Sequence, residues 1–185
     1  MADLSNLRVA VIATDGFEEA ELTQPVEALR NAGADVMIVA PRRGEIQGYK
    51  HDTKGEAVTV DVLLQDIEAD NFDAVMLPGG ALNADALRML PEMKSFLQAT
   101  NAMGKPIAAI CHAPWELISA GLVRGRTLTS FSTIQDDIRN AGGSWVDRET
   151  VEDDNWLTSR KPDDLPAFNR AMVELFAKSA VPARP

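Results

Sequence analysis

Cysteine occurs once in the 185 residues and histidine twice, so the chain forms no internal disulfide and has too few thiols and imidazoles for a Cys/His zinc cluster. Aromatic residues make up only 5%, which points to an aliphatic core. Positive charge is also scarce. Eighteen Lys and Arg face twenty-eight Asp and Glu, for a formal charge of −10, and with no local basic patch a nucleic acid or an anionic membrane is repelled. No apolar run approaches the roughly 20 residues that span a bilayer. The start MADLSNLRV lacks the basic and apolar parts of a secretory signal, so a cytoplasmic protein is expected. No GxGxxG or P-loop pattern follows a strand, and no calcium-type spacing of carboxylates occurs. Neither a cofactor nor a metal is expected.

What remains is the balance of an ordinary globular domain, 45% hydrophobic and 25% charged. The length suits one α/β domain over residues 1–180, with 181–185 as a frayed tail. Short apolar runs at 7–14, 35–41, 73–80 and 106–111 read as strands buried on both faces. Further strands are expected at 56–62 and 126–131, and a hairpin or two short strands at 144–160. The polar stretch 42–55 between them reads as a loop. Helical periodicity follows at 18–31, despite Pro25, then from Gly80 to Met103 in two pieces around Pro91, and at 112–122, 133–143 and 163–178. Alternating strands and helices imply a three-layer sandwich around a mainly parallel sheet, whose site lies beyond the carboxyl ends of the strands.

Three of those strand ends carry unusual chemistry. Cys111 closes the strand 106–111 where a helix begins, and unpaired amides at such a turn favour an anion, which is expected to hold the thiol ionised. Space-filling is the commoner fate of a lone cysteine. His112 alters that balance, because an imidazole beside a thiol can take its proton. It could equally be a helix-start residue bonded to a backbone carbonyl. Gly79 and Gly80, after the strand 73–80, allow backbone amides to face an anion, and the N–H groups of Gly80 and His112 together suit an oxyanion hole. Glu18, Glu19 and Glu21 open the first helix, with Glu18 and Glu21 on one face. An acid turned inward there would donate to a thiolate when protonated or orient a histidine when ionised.

Taken in order, GFEEAEL (16–22), VMLPGG (75–80), AAICHAPWELISAGLVRGRTLTS (108–130) and WLTSRKPDDLPAF (156–168) closely resemble the PfpI/ThiJ family of intracellular protease-like and stress proteins. The resemblance implies a flavodoxin-like fold with Cys111 as nucleophile on an elbow, followed by His112, with Glu21 bonded to the sulfur and the Gly80 and His112 amides as oxyanion donors. It also implies a homodimer or larger assembly formed around the elbow, and an acid from a neighbouring subunit that orients the histidine, for which Asp85 is the nearest match. Ala113 stands where glycine is frequent in the family, which implies an altered pocket wall. Tyr49, His51 and Trp115 are candidates to line the shared cleft. The activity implied is that of a cysteine-nucleophile hydrolase acting on peptides. The alternatives are a glyoxalase or deglycase acting on methylglyoxal or its adducts, or a thiol redox sensor that is not an enzyme.

Overall fold

The structure, a computed structural model, describes residues 2–178, so the expected frayed tail lies outside the described residues. A seven-stranded sheet forms the middle layer. Its members in chain order are β1 (Arg8–Ile12), β3 (Asp35–Ala40), β6 (Val62–Leu63), β7 (Ala74–Leu77), β8 (Ile107–Ile110), β11 (Thr150–Asp153) and β12 (Trp156–Ser159), and in space they run β11-β12-β8-β7-β1-β3-β6. All pairs are parallel except β11 with β12. Strand alternation sends Val9 and Val11 to one face and Ala10 and Ile12 to the other. On the first face α1 (Glu19–Asn31) and α6 (Leu165–Lys178) bury Leu22, Leu29, Phe168 and Phe176. The second face is covered by α2 (Ala81–Arg88), α3 (Pro91–Ala102), α4 (Pro114–Ser119) and α5 (Gln135–Asn140), through Leu87, Leu97, Leu117 and Ile138. The three-layer arrangement expected from the pattern is present, and it is the flavodoxin-like fold that the family resemblance implies. Pro91 starts α3 rather than interrupting a helix, and Pro25 sits inside α1, where its missing donor is the one that would serve the carbonyl of Glu21.

Two segments depart from the sequence reading. Residues 42–55 are not a loop: β4 (Glu45–Lys50) and β5 (Thr53–Thr59) form a hairpin, and β4 pairs in parallel with β2 (Phe17–Glu18). Its polarity hides it, because β5 is largely exposed and only Ile46 and Gly48 of β4 are buried. Gly48 is required there, since a Cβ would strike the ring of Phe17 and the Glu56 carbonyl. The expected strand at 126–131 shrinks to β9 (Thr127–Leu128), which pairs outside the main sheet with β10 (Ser144–Trp145). It is β12 that lies beside β8, while the chain after Leu128 turns toward the site, with the Phe131 N–H donating to the Cys111 carbonyl at 2.8 Å.

Two buried polar side chains bear on stability. Asn83 is fully buried; its Nδ2 donates to the carbonyls of Pro78 and Gly79, both at 3.1 Å, and its Oδ1 accepts from Thr14 N–H at 2.7 Å. It thereby pins the end of β1 to the turn after β7. Asn83→Ala strands these groups and is expected to cost about 2 to 3 kcal/mol, a fall in Tm of roughly 5 to 10 °C by calorimetry. Glu116 on α4 is also buried, and neither carboxyl oxygen has a hydrogen-bond partner among the described residues. Burial pushes this carboxyl well above its ordinary range. The folded state must therefore hold a proton that the unfolded chain releases, so stability declines as pH rises above the normal carboxylate range. Glu116→Gln is expected to raise Tm, and by more at pH 8 than at pH 5.

Candidate active site

Cys111 stands between β8 and α4 with φ at 64°, in the left-handed region that a side chain other than glycine enters only under constraint. The constraint is visible: its N–H donates to the Ser159 carbonyl at 3.1 Å, and its own carbonyl accepts from Phe131 N–H. This is the sharp strand-to-helix bend that lifts a nucleophile out of a sheet. The His112 ring turns back toward the sulfur, with Nδ1 at 3.1 Å from Sγ, so the carbonyl-bonded reading of this histidine does not hold. Phe131 stacks on the ring at 4.8 Å and 24°, and Trp115 flanks it at 5.3 Å and 58°. The far nitrogen, Nε2, meets Thr133 Oγ1 at 3.4 Å.

Facing the elbow is the Gly79–Gly80 turn that ends β7. A Cβ on Gly79 would collide with the Glu21 carboxyl and with Cys111 Cβ, and Gly80, at φ 94°, lies against the carbonyl of Gly16. Only glycines let the turn approach so closely. The amides of Gly80 and His112 lie beside the Cys111 sulfur, where they favour its anion. Glu21 is fully buried; its Oε2 accepts from Gly79 N–H at 3.0 Å, and its carboxyl interacts with the sulfur, although Oε1 lacks a full hydrogen bond among the described residues.

The other two acids have different work. Glu18 belongs to β2 and not to the helix, and its Oε2 accepts from His51 N–H at 3.0 Å. Glu19 accepts from Glu56 N–H at 2.6 Å and pairs with Lys50 at 3.3 Å. Both fasten the β4–β5 hairpin to the start of α1, leaving Glu21 alone for the sulfur.

Burial pushes the Cys111 thiol up, and an ionised Glu21 would push it further, while the Gly80 and His112 amides pull it back. With only six residues, α4 offers a modest dipole. Burial, and then the charge of Glu18, raise the Glu21 carboxyl to about 8, so at neutral pH it is mostly protonated and its repulsion of the sulfur is relieved. Burial also lowers the His112 pKa, which keeps the ring neutral and its lone pair available.

A cleft of about 540 Å³ opens over the sulfur. Tyr49 and His51 line it, as expected, and so do Glu18, Glu21, Gly80, Cys111 and His112. Trp115 does not; it backs the His112 ring and donates Nε1–H to Asp137 at 2.7 Å. Ala113 is buried in the core beneath the elbow and forms no pocket wall. Asp85 is exposed on α2, outside the cleft lining, and makes no hydrogen bond or ion pair among the described residues. Leu82, Phe131, Lys161, Pro162 and Asp163 also line the cleft, and the sequence reading assigned them no part in it. The last three come from WLTSRKPDDLPAF, where Arg160 bonds both Asp164 oxygens, at 2.8 and 3.0 Å, and Asp147 at 2.7 Å, shaping the turn that presents them. Among the described residues no group of His, Cys, Asp and Glu could hold a metal ion, and no helix is long and apolar enough to cross a membrane.

A cysteine carried on a strained bend of a flavodoxin-like sheet, with a histidine next in the chain against its sulfur, is the arrangement of a class of cysteine enzymes in which a small set of loops decides the substrate. Within that class the chain belongs to the DJ-1/PfpI family, whose description matches residues 7–175. It is 43% identical over 170 residues to protein/nucleic acid deglycase 2 of Escherichia coli, covering 91% of this chain and 96% of that protein. Relatives from Thermococcus and Pyrococcus at 40% to 42% identity also bear the name deglycase. YraA of Bacillus subtilis, named as a candidate cysteine protease, is 40% identical over 168 residues, with 91% of this chain and 97% of that one covered. The crystal structure of Drosophila melanogaster DJ-1beta superposes with a TM-score of 0.84 at 30% identity, over 96% of this chain and 91% of that one.

Proposed function

We propose that the chain is a cysteine-dependent deglycase that removes methylglyoxal-type adducts from amines. The observation that carries this reading is the 3.1 Å approach of His112 Nδ1 to the sulfur under a cleft of side-chain dimensions. The names of the relatives favour deglycation over the peptidase activity that led in the sequence reading. His112 Nδ1 takes the thiol proton as Sγ attacks the carbinol carbon of the adduct. The carbon–nitrogen bond breaks, and the amine leaves with the proton that His112 holds, so that a sulfur-bound hemithioacetal remains. A proton shift from the carbon bearing sulfur to the neighbouring carbonyl carbon, with the hydroxyl proton passing to the carbonyl oxygen, gives a thioester, which water hydrolyses to the hydroxy acid and the free thiol. The amides of Gly80 and His112 bind the oxygen on which charge develops, and protonated Glu21 steadies the thiolate.

A second copy of the chain is the expected partner. Leu82 and Met89 on and just beyond α2 are 70% and 69% exposed beside the cleft, with Asp85 between them, and an apolar stripe of this kind suits a symmetric contact. In such an assembly Asp85 borders the shared cleft. The cytoplasm remains the expected location. Incubating the protein with methylglyoxal-treated N-acetyl-arginine is expected to release lactate and regenerate free arginine side chains. Cleavage of a peptide with no lactate released would restore the peptidase reading.

A further inference from the structure

Resting on the reading above, the site must also recognise the molecule that carries the adduct, and the charges around the cleft are unequal. Glu18, Asp52 and Asp163 line it, with Lys161 as the one lysine or arginine among the described lining residues, and Lys161 is taken by Asp163 at 2.9 Å. His51 adds positive charge only when protonated. Asp52 is exposed on the hairpin turn, with the Thr53 hydroxyl at 3.3 Å. Glu18 is held differently. Its N–H donates to the Gly79 carbonyl at 3.3 Å, and Gly79 packs against Cys111, so the residue is fixed close to the elbow. Its side chain is only 13% exposed, and Oε2 accepts from the His51 N–H at 3.0 Å. Oε1 keeps contact with solvent and bonds nothing among the described residues. No lysine or arginine among them pairs with this carboxylate, since Lys50 on the same hairpin goes to Glu19.

A recessed carboxylate with one oxygen free, beside a nucleophile and without a cation of its own, favours a positively charged donor that enters the cleft. We propose that Glu18 is the specificity-determining residue of the site, its Oε1 accepting from the guanidinium of an arginine adduct, so that adducts of arginine side chains are chosen over those of nucleobases. The chemistry of the two amines supports the choice. When one guanidinium nitrogen carries the aldehyde-derived carbon, the other nitrogens keep their N–H donors and the group keeps its delocalised charge. The exocyclic amine of guanine is neutral, and in a nucleotide it comes with phosphate, which Glu18, Asp52 and a chain of net charge −10 repel.

Lactate release is to be compared for methylglyoxal-treated N-acetyl-arginine and methylglyoxal-treated guanosine, which carries no phosphate. The wild type is expected to favour the arginine adduct, and Glu18→Gln to lower kcat/KM for that adduct about tenfold through KM while leaving guanosine unchanged. Glutamine still offers a carbonyl oxygen to the His51 N–H, so the hairpin stays fastened. A disturbance of the elbow itself would lower both adducts alike, so the ratio between them is the readout. A second measurement needs no turnover: N-acetyl-arginine methylamide is expected to slow alkylation of Cys111 by iodoacetamide in the wild type, its neutral isostere N-acetyl-citrulline methylamide to do so far less, and Glu18→Gln to erase the difference. If neither adduct releases lactate the deglycase reading fails, and the protection experiment still judges Glu18. Equal protection by the two methylamides in the wild type, or an unchanged arginine-to-guanosine ratio in Glu18→Gln, would overturn the proposal. Loss of the preference in Asp52→Asn with Glu18→Gln like the wild type would hand the role to the rim and overturn it equally.

Discussion

Cys111→Ala is expected to reduce lactate release from methylglyoxal adducts by at least about 1,000-fold, because removing a covalent nucleophile leaves only binding and the oxyanion donors. The loss should appear in kcat with substrate affinity retained, since the amides of Gly80 and His112 and the cleft walls remain. A companion substitution separates chemistry from architecture. Cys111 holds a left-handed backbone at φ 64°, which a Cβ resists by roughly 1 kcal/mol or more. Cys111→Gly is therefore expected to be as inactive as the alanine variant but to unfold at a higher temperature than it. Equal Tm values for the two variants would show that the bend carries no such strain. The strain is then part of how the nucleophile is presented, tolerated because the Ser159 and Phe131 backbones grip both sides of the residue.

The second large effect concerns Glu21, through both pH and rate. Its carboxyl is raised from 4.5 to about 8 by burial, so between those values the folded protein holds a proton that the unfolded chain has released. Stability from this group is highest below pH 4.5, falls steadily as pH rises to about 8, and changes no further above that. Glu21→Gln removes the titration, and the variant is expected to gain in Tm relative to the wild type as pH increases from 5 to 8. Activity should move the opposite way. Glutamine can still accept from Gly79 N–H through its carbonyl oxygen and turn an N–H toward the sulfur, but that N–H is a weaker donor than a protonated carboxyl. A drop in kcat of roughly ten- to a hundredfold is expected, on the scale of a lost charge-assisted hydrogen bond. The wild-type rate of alkylation at Cys111 should stop rising near pH 8, where the ionised carboxylate begins to repel the sulfur anion, and the variant should show no such break. An unbroken wild-type profile would mean that the acid and the sulfur do not titrate as a coupled pair.

The sheet was legible because parallel strands buried on both faces leave uninterrupted apolar runs, and β1, β3, β7 and β8 each sit in one. The elbow was legible for a local reason: a thiol and an imidazole adjoin where such a run meets a helix. What escaped was held by contacts distant in the chain. The β4–β5 hairpin buries little beyond Ile46 and Gly48 and is fastened by Glu18, Glu19 and Phe17. The choice between a protonated and an ionised Glu21, which the sequence left open, turns on its burial beside Gly79 and Cys111, which charge spacing along one helix does not reveal. Thr133 gave no signal at all; a threonine 21 residues beyond the histidine reaches it only because Phe131 is tied back to Cys111.

Residues 17–21 serve two masters at once: Glu18 and Glu19 hold the overhanging hairpin by its amides, and two residues later Glu21 reaches behind the sulfur. Tyr49 and His51 overhang the cleft from a hairpin anchored on the same short length of backbone that carries Glu21. The wall of the cleft and the proton behind the sulfur thus hang from one stretch of five residues.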